Sequence, residues 1–325
     1  MNTHYTLSQI FQPIEAALVE ARLIVNQLWR ESLAFATAPE DNTQSSEGKL
    51  LRPALCLLAA GALDAGDLKR YASLAAAYEV IHMASLAHDD VVDHAELRRG
   101  QNSLNARWNN HTAILCGDYL VARGIELINS YKIPELNASA LEAVRHMAAG
   151  ELRFYGRDPA TAPEADCIVL AESKTASLFA AACSAPALLI APEQTQALRV
   201  FGINLGTAFQ LVDDLLDITQ PVQTLGKPAC GDIVEGKHTL PLFLLRQALT
   251  TAERERLSAL RGAEATEADC LWIQERVKDT GVDVEVGRRA RLYMDKGLHA
   301  LESLPTSPYR DSMIALAEFV LCRQA

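Results

Sequence analysis

One long segment, residues 68–99, constrains the fold most strongly, because it is almost free of charge between Tyr71 and Asp89. Between Tyr71 and Asp89 the only charged residue is Glu79, and the remaining positions are mostly alanine, leucine and other apolar residues. A helix that is apolar on every side has no face for solvent and belongs at the centre of a bundle. The segment therefore predicts an all-α protein, a helical bundle with this helix inside it.

The composition supports that fold class. The chain has 325 residues, of which 49% are hydrophobic and only 6% aromatic. Alanine and leucine favour helices, and no sustained apolar/polar alternation predicts strands. We expect one domain over residues 1–325, with the motifs in residues 45–245 and further helices in residues 250–325. Earlier helices are predicted near residues 6–35, 52–62, 68–99, 111–130, 136–155, 166–190, 194–219 and 237–249.

Charge and cysteine content exclude several classes. The net charge of −11 argues against a nucleic-acid partner. Seven scattered cysteines without a CxxC pair, and an N-terminus without signal-peptide features, indicate reduced thiols in a cytoplasmic protein. Residues 175–192 are uncharged but contain Pro186, which favours a buried helix and its exit over a transmembrane segment.

The same spacing of aspartates occurs twice, as DDVVD at 89–93 and DDLLD at 213–217. Residues four apart on a helix share a face, so each motif presents paired carboxylates. Both motifs follow apolar runs, and carboxylates at the mouth of an apolar interior need a cation. Oxygen ligands without thiolates or paired histidines favour Mg²⁺ over zinc. The predicted metal ligands are Asp89, Asp90, Asp93, Asp213, Asp214 and Asp217.

Five basic motifs accompany the aspartates. Arg98 and Arg99 follow the first cluster, and GKLLRP at 48–53 is expected to place Lys49 and Arg52 on one face of a starting helix. The motifs SKTA, LGKP and EGKHTLP contain Lys174, Lys227 and Lys237. A single base is most simply a surface charge, but five such motifs beside two acidic clusters favour a diphosphate site. We expect a magnesium-bound diphosphate with an apolar group against the helix behind it.

These motifs together resemble the trans-type isoprenyl diphosphate synthases, or polyprenyl synthetases. The motifs that match, in the same order as in the family, are GKLLRP, HDDVVDHAELRRG, GDYL, KTASLF, FQLVDDLLD, LGKP and EGKHTLPL. It implies a bundle around a deep central cavity, a homodimer, and three Mg²⁺ ions per active site. The reaction it implies is head-to-tail 1′–4 condensation of isopentenyl diphosphate with an allylic diphosphate.

The resemblance also assigns roles by position in the motifs. Catalytic roles fall to Asp89, Asp93, Lys174, Asp213 and Lys227. The allylic diphosphate would be held by Arg98, Lys174, Thr175, Gln210, Lys227 and Lys237. Isopentenyl diphosphate would be held by Gly48, Lys49, Arg52, His82 and Arg99. A lone histidine on an apolar helix is more often a core residue, but His82 lies two turns before Asp89 on about the same face.

Two positions depart from the family pattern. Phe154 stands where the family often has glutamine, and Cys230 precedes Gly231 where many relatives have the glycine one position earlier. Neither is a proposed ligand, so the departures bear on loop geometry more than on activity.

The residues before Asp89 bear on product length. Ser85 and Ala84 are small, so the cavity is expected to continue past Ile81. Tyr78, about 16 Å along the helix from Asp89, is the first bulky candidate for the cavity floor, or alternatively a core tyrosine facing another helix. We predict a product longer than fifteen carbons, geranylgeranyl diphosphate or longer, with farnesyl diphosphate synthase as an alternative.

Two further classes stay open. A terpene cyclase would share the fold but usually lack the second aspartate motif and the bases for a second diphosphate. A non-catalytic subunit of a heteromeric synthase would be expected to lose aspartates, whereas this chain keeps six.

Overall fold

The computed structural model of the chain describes residues 5–34, 48–63, 66–98, 100–154, 157–158, 160–220, 230–262 and 265–322. The structure is 83% helical, which confirms the all-α prediction. Within the described ranges the strands are β1, Leu97–Arg98, and β2, Gln101–Asn102, which form one antiparallel hairpin.

The helices of the N-terminal half follow the predicted segments closely, except that residues 68–99 are α-helical only from Ala72 to Val92 and form strand β1 at Leu97–Arg98. They are α1 Leu7–Phe11, α2 Glu15–Ala34, α3 Leu51–Leu63, α4 Ala72–Val92, α5 Leu104–Arg107, α6 Asn110–Asn129 and α7 Pro134–Phe154. The single helix predicted near residues 6–35 is divided by a 3₁₀ turn at Gln12–Ile14. Proline explains the break, because Pro13 has no N–H to donate within a helix.

The C-terminal half is also helical. Its helices are α8 Glu164–Ala171, α9 Ser177–Ile190, α10 Thr195–Thr219, α11 Gly231–Val234, α12 Leu240–Ala248, α13 Thr251–Ala259, α14 Glu267–Thr280, α15 Val282–Ala300 and α16 Pro308–Cys322. A π-helical turn, Glu172–Ala176, joins α8 to α9. The helix continues past Pro186 to Ile190, which agrees with the helix predicted near residues 166–190.

Helix α4 lies inside the bundle, as its sequence predicts. It packs along α6 and also contacts α2, α3 and α9. Even Glu79, its charged residue ahead of the aspartates, is only 5% exposed. The apolar segment thus runs through the interior and delivers Asp89 and Asp93 at its C-terminal end.

One helical stretch passes a length and composition test for a membrane span. Among the described residues this is Glu164–Ile190, and 72% of its most apolar window is buried inside the protein. Such burial is typical of a core helix, in agreement with the interpretation of residues 175–192.

Helices α9 and α10 approach each other through glycines. A Cβ on Gly206 would lie 2.6 Å from Ala176 Cα, and one on Gly202 would lie 2.7 Å from Ala180 Cα. Both obstacles are backbone atoms, which cannot move aside as a flexible side chain can. The glycines therefore fix the distance between α10, which carries the second aspartate cluster, and the segment that carries Lys174.

We expect Gly206→Ala to lower the free energy of unfolding by about 1–3 kcal/mol, because the added methyl group forces the two helices apart. Urea denaturation measures the change. Gly297→Ala is the matched control, since its Cβ would lie 3.3 Å from the Cβ of Asn204 and 3.5 Å from Phe201 O, well beyond the 2.6 Å at Gly206. We expect the control to change stability by less than about 1 kcal/mol. Equal stability of Gly206→Ala and the wild-type protein would show that the helices can separate without cost.

Candidate active site

The first aspartate cluster lies where α4 leaves the interior. The helix ends at Val92 with Asp93 as its C-cap. The side chains of Asp89 and Asp93 are about one-quarter exposed, whereas Asp90 is buried. The paired face predicted for Asp89 and Asp93 is thus directed to the mouth of the bundle.

Lys174 contacts the first cluster from the π-helical turn. Its Nζ lies 3.5 Å from Asp89 Oδ2 and 2.6 Å from Glu151 Oε1 on α7. Burial lowers the pKa of Lys174, but the carboxylates of Asp89 and Glu151 outweigh it and leave that pKa raised. Burial raises the pKa of Asp89, and Lys174 offsets only part of that increase. Lys174 is therefore a fixed cation beside the paired carboxylates.

Lys237 joins the two aspartate clusters. Its Nζ lies 3.1 Å from Asp93 Oδ2 and 3.7 Å from Asp232 Oδ1, and it also contacts Glu235. The backbone N–H of Asp232 in turn donates a hydrogen bond of 3.0 Å to Asp217 Oδ2. This chain of contacts connects α4 to α10 through residues that are far apart in sequence.

The second cluster is tied to the π-helical turn as well. Thr175 Oγ1 donates to Gln210 Oε1 at 2.5 Å, and Gln210 Nε2 donates to Asp214 Oδ1 at 2.6 Å. Burial, and then the carboxylate of Asp232, raise the pKa of Asp214 well above its usual value. Lys174, Thr175, Gln210 and Lys237, predicted to hold one diphosphate, thus lie in a single network with the aspartates.

Arg98 is held by the first cluster. Its Nε donates to both carboxylate oxygens of Asp90, at 2.7 Å and 2.9 Å. Arg98 lies on β1 of the hairpin, and Gly100 in the turn has a φ of +75°, a conformation that favours glycine. Strands of two residues are too short to show alternation, so this hairpin was not predicted.

The residues predicted to bind isopentenyl diphosphate are only partly brought together. Arg52 is buried in the first turn of α3, and its guanidinium carbon lies 4.6 Å from the centre of the Phe179 ring. The helix begins at Leu51, so the prediction that Lys49 and Arg52 share a helical face is wrong. Lys49 is exposed, and Gly48 and His82 are half-buried. Arg99, and Lys227 of the allylic set, lie outside the described residues.

The candidate chain-length residues lie on α4 below the aspartates. Ile81, Ala84 and Tyr78 are buried, and Ser85 Oγ donates to His82 O at 2.8 Å. The Tyr78 hydroxyl has no hydrogen-bond partner among the described residues. Burial, and then the nearby Cys56 thiol, raise the pKa of Tyr78. The side chain therefore points from α4 toward α3 in the deepest part of the core.

Three carboxylates of the network were not found from the sequence. Glu151, Asp232 and Glu235 all contact a predicted lysine. Glu151 lies in GELRFYG, which contains Phe154, and Asp232 lies two residues after Cys230. Each acid is therefore near one of the two positions that depart from the family pattern. Phe154 packs on His238, with the ring centres 5.8 Å apart. Cys230 has a φ of +61°, a left-handed conformation that favours glycine at this position.

The donor set fits a hard divalent cation. The acidic groups at the mouth offer carboxylate oxygens, and the described part of the chain contains no group of three or more histidine, cysteine or acidic side chains already arranged to hold an ion. Mg²⁺ is usually held by one or two carboxylates, with the remaining positions filled by substrate phosphate and water. Paired carboxylates without a complete protein cage match that preference.

Comparisons with known proteins agree with the fold. A polyprenyl synthase from Caulobacter crescentus CB15, solved with calcium and isoprenyl diphosphate, superposes with a TM-score of 0.91 at 33% identity, covering 100% of both chains. The class of fold is therefore that of the isoprenoid synthases.

Sequence comparison gives the family. The polyprenyl synthetase family model matches residues 35–276. An all-trans-nonaprenyl-diphosphate synthase (geranyl-diphosphate specific) from Rhodobacter capsulatus is 34% identical over 322 residues, covering 97% of each chain. Heptaprenyl diphosphate synthase component 2 from Geobacillus stearothermophilus is 35% identical over 276 residues, covering 84% of this chain and 85% of that protein. The chain belongs to the polyprenyl synthetase family and is a prenyltransferase.

Proposed function

We propose that the protein is an all-trans polyprenyl diphosphate synthase that adds isopentenyl diphosphate to an allylic diphosphate and makes a product longer than fifteen carbons. The observation that carries the proposal is the network from Asp93 through Lys237 and Asp232 to Asp217, which brings both aspartate clusters to one site. Two aspartate clusters and two lysines at one site are suited to binding the diphosphate that leaves an allylic substrate.

The aspartates would hold Mg²⁺, three ions per site as in the family, with Asp89, Asp93, Asp213 and Asp217 as the main ligands. When bound, the ions neutralise negative charge on the departing diphosphate. Lys174 and Lys237 lie within contact of those carboxylates and would bind the same diphosphate directly. Cations fixed before the reaction stabilise developing charge without reorganisation.

The apolar interior has its own part in the reaction. Departure of diphosphate leaves an allylic cation, and the buried residues of α4 below Asp89 exclude water from it. Arg52, at the start of α3, would hold the isopentenyl diphosphate so that its double bond reaches the cation. A proton is then lost to the released diphosphate, and no protein nucleophile is needed.

Assays with one and both substrates test the function. A synthase releases diphosphate and elongates the chain only when isopentenyl diphosphate and an allylic diphosphate are both present. Release from the allylic substrate alone would indicate a terpene cyclase. The product from labelled isopentenyl and farnesyl diphosphates gives the length, and failure to pass fifteen carbons would favour farnesyl diphosphate synthase.

A subunit of a heteromeric synthase is the second candidate. It is favoured by the similarity to a protein named as component 2 of a heptaprenyl synthase. We propose instead a cytoplasmic homodimer of single-domain chains without a nucleic-acid partner, as expected from the sequence. Sedimentation of the purified chain, combined with its turnover alone, distinguishes the two arrangements.

We expect Tyr78→Ala to lengthen the product by one or more five-carbon units, because it removes the first bulky side chain below the aspartates. Product chromatography measures the change. Tyr131→Phe is the control, since the Tyr131 hydroxyl donates to Arg70 O at 2.8 Å and accepts from Leu74 N at 3.2 Å, about one turn of α4 farther from the aspartates than Tyr78. An unchanged product from a folded Tyr78→Ala protein would mean that the tyrosine is only a core residue.

A further inference from the structure

We propose that Asp90 is a positioning residue for Arg98 and not a metal ligand. The inference rests on the proposed function, because Arg98 is expected to bind the allylic diphosphate. It replaces the expectation that all three aspartates of the first cluster share one role.

The geometry of Asp90 differs from that of its neighbours. One residue along a helix turns the side chain by about 100°, whereas four residues return it to nearly the same face. Accordingly Asp89 and Asp93 contact the lysines of the site, at 3.5 Å and 3.1 Å. Asp90 instead points toward the hairpin, and its side chain is only 4% exposed.

Arg98 uses both oxygens of Asp90. Its Nε donates to Oδ1 at 2.7 Å and to Oδ2 at 2.9 Å, and its Nη2 lies 2.5 Å from Oδ1. These contacts use both oxygens of a carboxylate whose side chain is only 4% exposed, which leaves little of it accessible to a cation. The Nε–Nη2 edge of Arg98 is thus committed to Asp90, and the Nη1 side is the part available to a substrate.

The contact also fixes a short segment to the helix end. The N–H of Ala95 donates to Asp90 O at 2.9 Å, and Ser103 Oγ donates to Ala95 O at 2.6 Å. The pair of two-residue strands gives little stability by itself. The buried ion pair with Asp90 is therefore the main contact that sets the direction of the Arg98 side chain.

Asp90→Asn tests the proposal, because it keeps the shape and removes the charge. We expect the KM for the allylic diphosphate to rise about tenfold, the loss typical of one charge-assisted hydrogen bond. We expect the Mg²⁺ concentration for half-maximal activity to change less than about twofold, because Asp90 contacts Arg98 and not the paired carboxylates. Asp89→Asn, in contrast, should raise that concentration. The matched control is Glu96→Gln, an exposed acid in the same loop.

A double variant distinguishes a role of Asp90 through Arg98 from direct binding of the metal by Asp90. If Asp90 acts only by positioning Arg98, Asp90→Asn adds nothing to the KM increase of Arg98→Gln. A further increase in the Mg²⁺ requirement in the Arg98→Gln background would overturn the proposal. If Asp90→Asn does not fold, Asp90→Glu, which keeps the charge but moves it, takes its place with the same expectations.

Hydrogen–deuterium exchange of the metal-free protein provides a readout that does not depend on activity. We expect amides of residues 97–102 to exchange at least about tenfold faster in Asp90→Asn than in the wild-type protein and Glu96→Gln, because the hairpin is released. Unchanged exchange would overturn the proposal even if the enzyme is active. Faster exchange in Asp90→Asn, together with a wild-type protein that lacks synthase activity, would support the ion pair and contradict the proposed function.

Discussion

Asp89→Asn is expected to reduce turnover on the order of 10³-fold, because it removes one of the paired carboxylates proposed to hold divalent ions at the leaving diphosphate. Asp89 is also the partner of Lys174, at 3.5 Å, so the variant leaves that cation without one of its two acidic contacts. Steady-state diphosphate release with both substrates measures the loss. Chelation with EDTA should have an even larger effect on the wild-type protein, and added Mg²⁺ should restore its activity.

The control for this variant is Asp295→Asn, an exposed aspartate on α15. It makes the same chemical change away from the site and should leave turnover within about twofold of the wild-type value. Full activity of Asp89→Asn, or wild-type turnover in the presence of excess EDTA, would contradict the role given to the first cluster.

Arg52→Gln should raise the KM for isopentenyl diphosphate about 10- to 100-fold, because a guanidinium makes charge-assisted, paired hydrogen bonds to a diphosphate. The KM for the allylic substrate should change little, since Arg52 is assigned to isopentenyl diphosphate and not to the allylic diphosphate. Arg52→Lys should recover only part of the loss, because an ammonium lacks the planar fork that lies over the Phe179 ring at 4.6 Å.

Arg22→Gln, an exposed arginine on α2, is the control for charge alone. Because Arg52 is only 7% exposed, urea denaturation of each variant is needed to separate lost binding from lost stability. An increase confined to the KM of the allylic diphosphate would show that Arg52 binds that substrate and would contradict its assignment to isopentenyl diphosphate.

Much of the fold is predictable because its signals are local. The charge-free run before Asp89 predicts a buried helix, and α4 is buried at Leu74, Tyr78 and Ile81. The aspartate spacing likewise predicts a shared face for Asp89 and Asp93, since helical geometry alone determines it.

The parts that sequence did not predict depend on contacts between distant residues. The partner acids Glu151 and Asp232 belong to segments far from the aspartates they adjoin, and no local pattern indicates which lysine they meet. The start of α3 was also not predicted correctly, because the pattern of GKLLRP indicates one helical segment. Leu50 has a left-handed φ of +49°, so the helix begins only at Leu51 and Lys49 does not share a helical face with Arg52. Helix ends are set by such backbone detail, so their exact residue escapes pattern analysis.

The π-helical turn at Glu172–Ala176 has a consequence for how this protein can vary. A wider turn accommodates one residue more than regular winding, so deleting a single residue there would return the segment to a regular helix and change the direction of the side chains within it by about 100°. Lys174 and Thr175 would then lose their simultaneous access to Asp89 and Gln210, which belong to different helices. We therefore expect this stretch to accept no change of length.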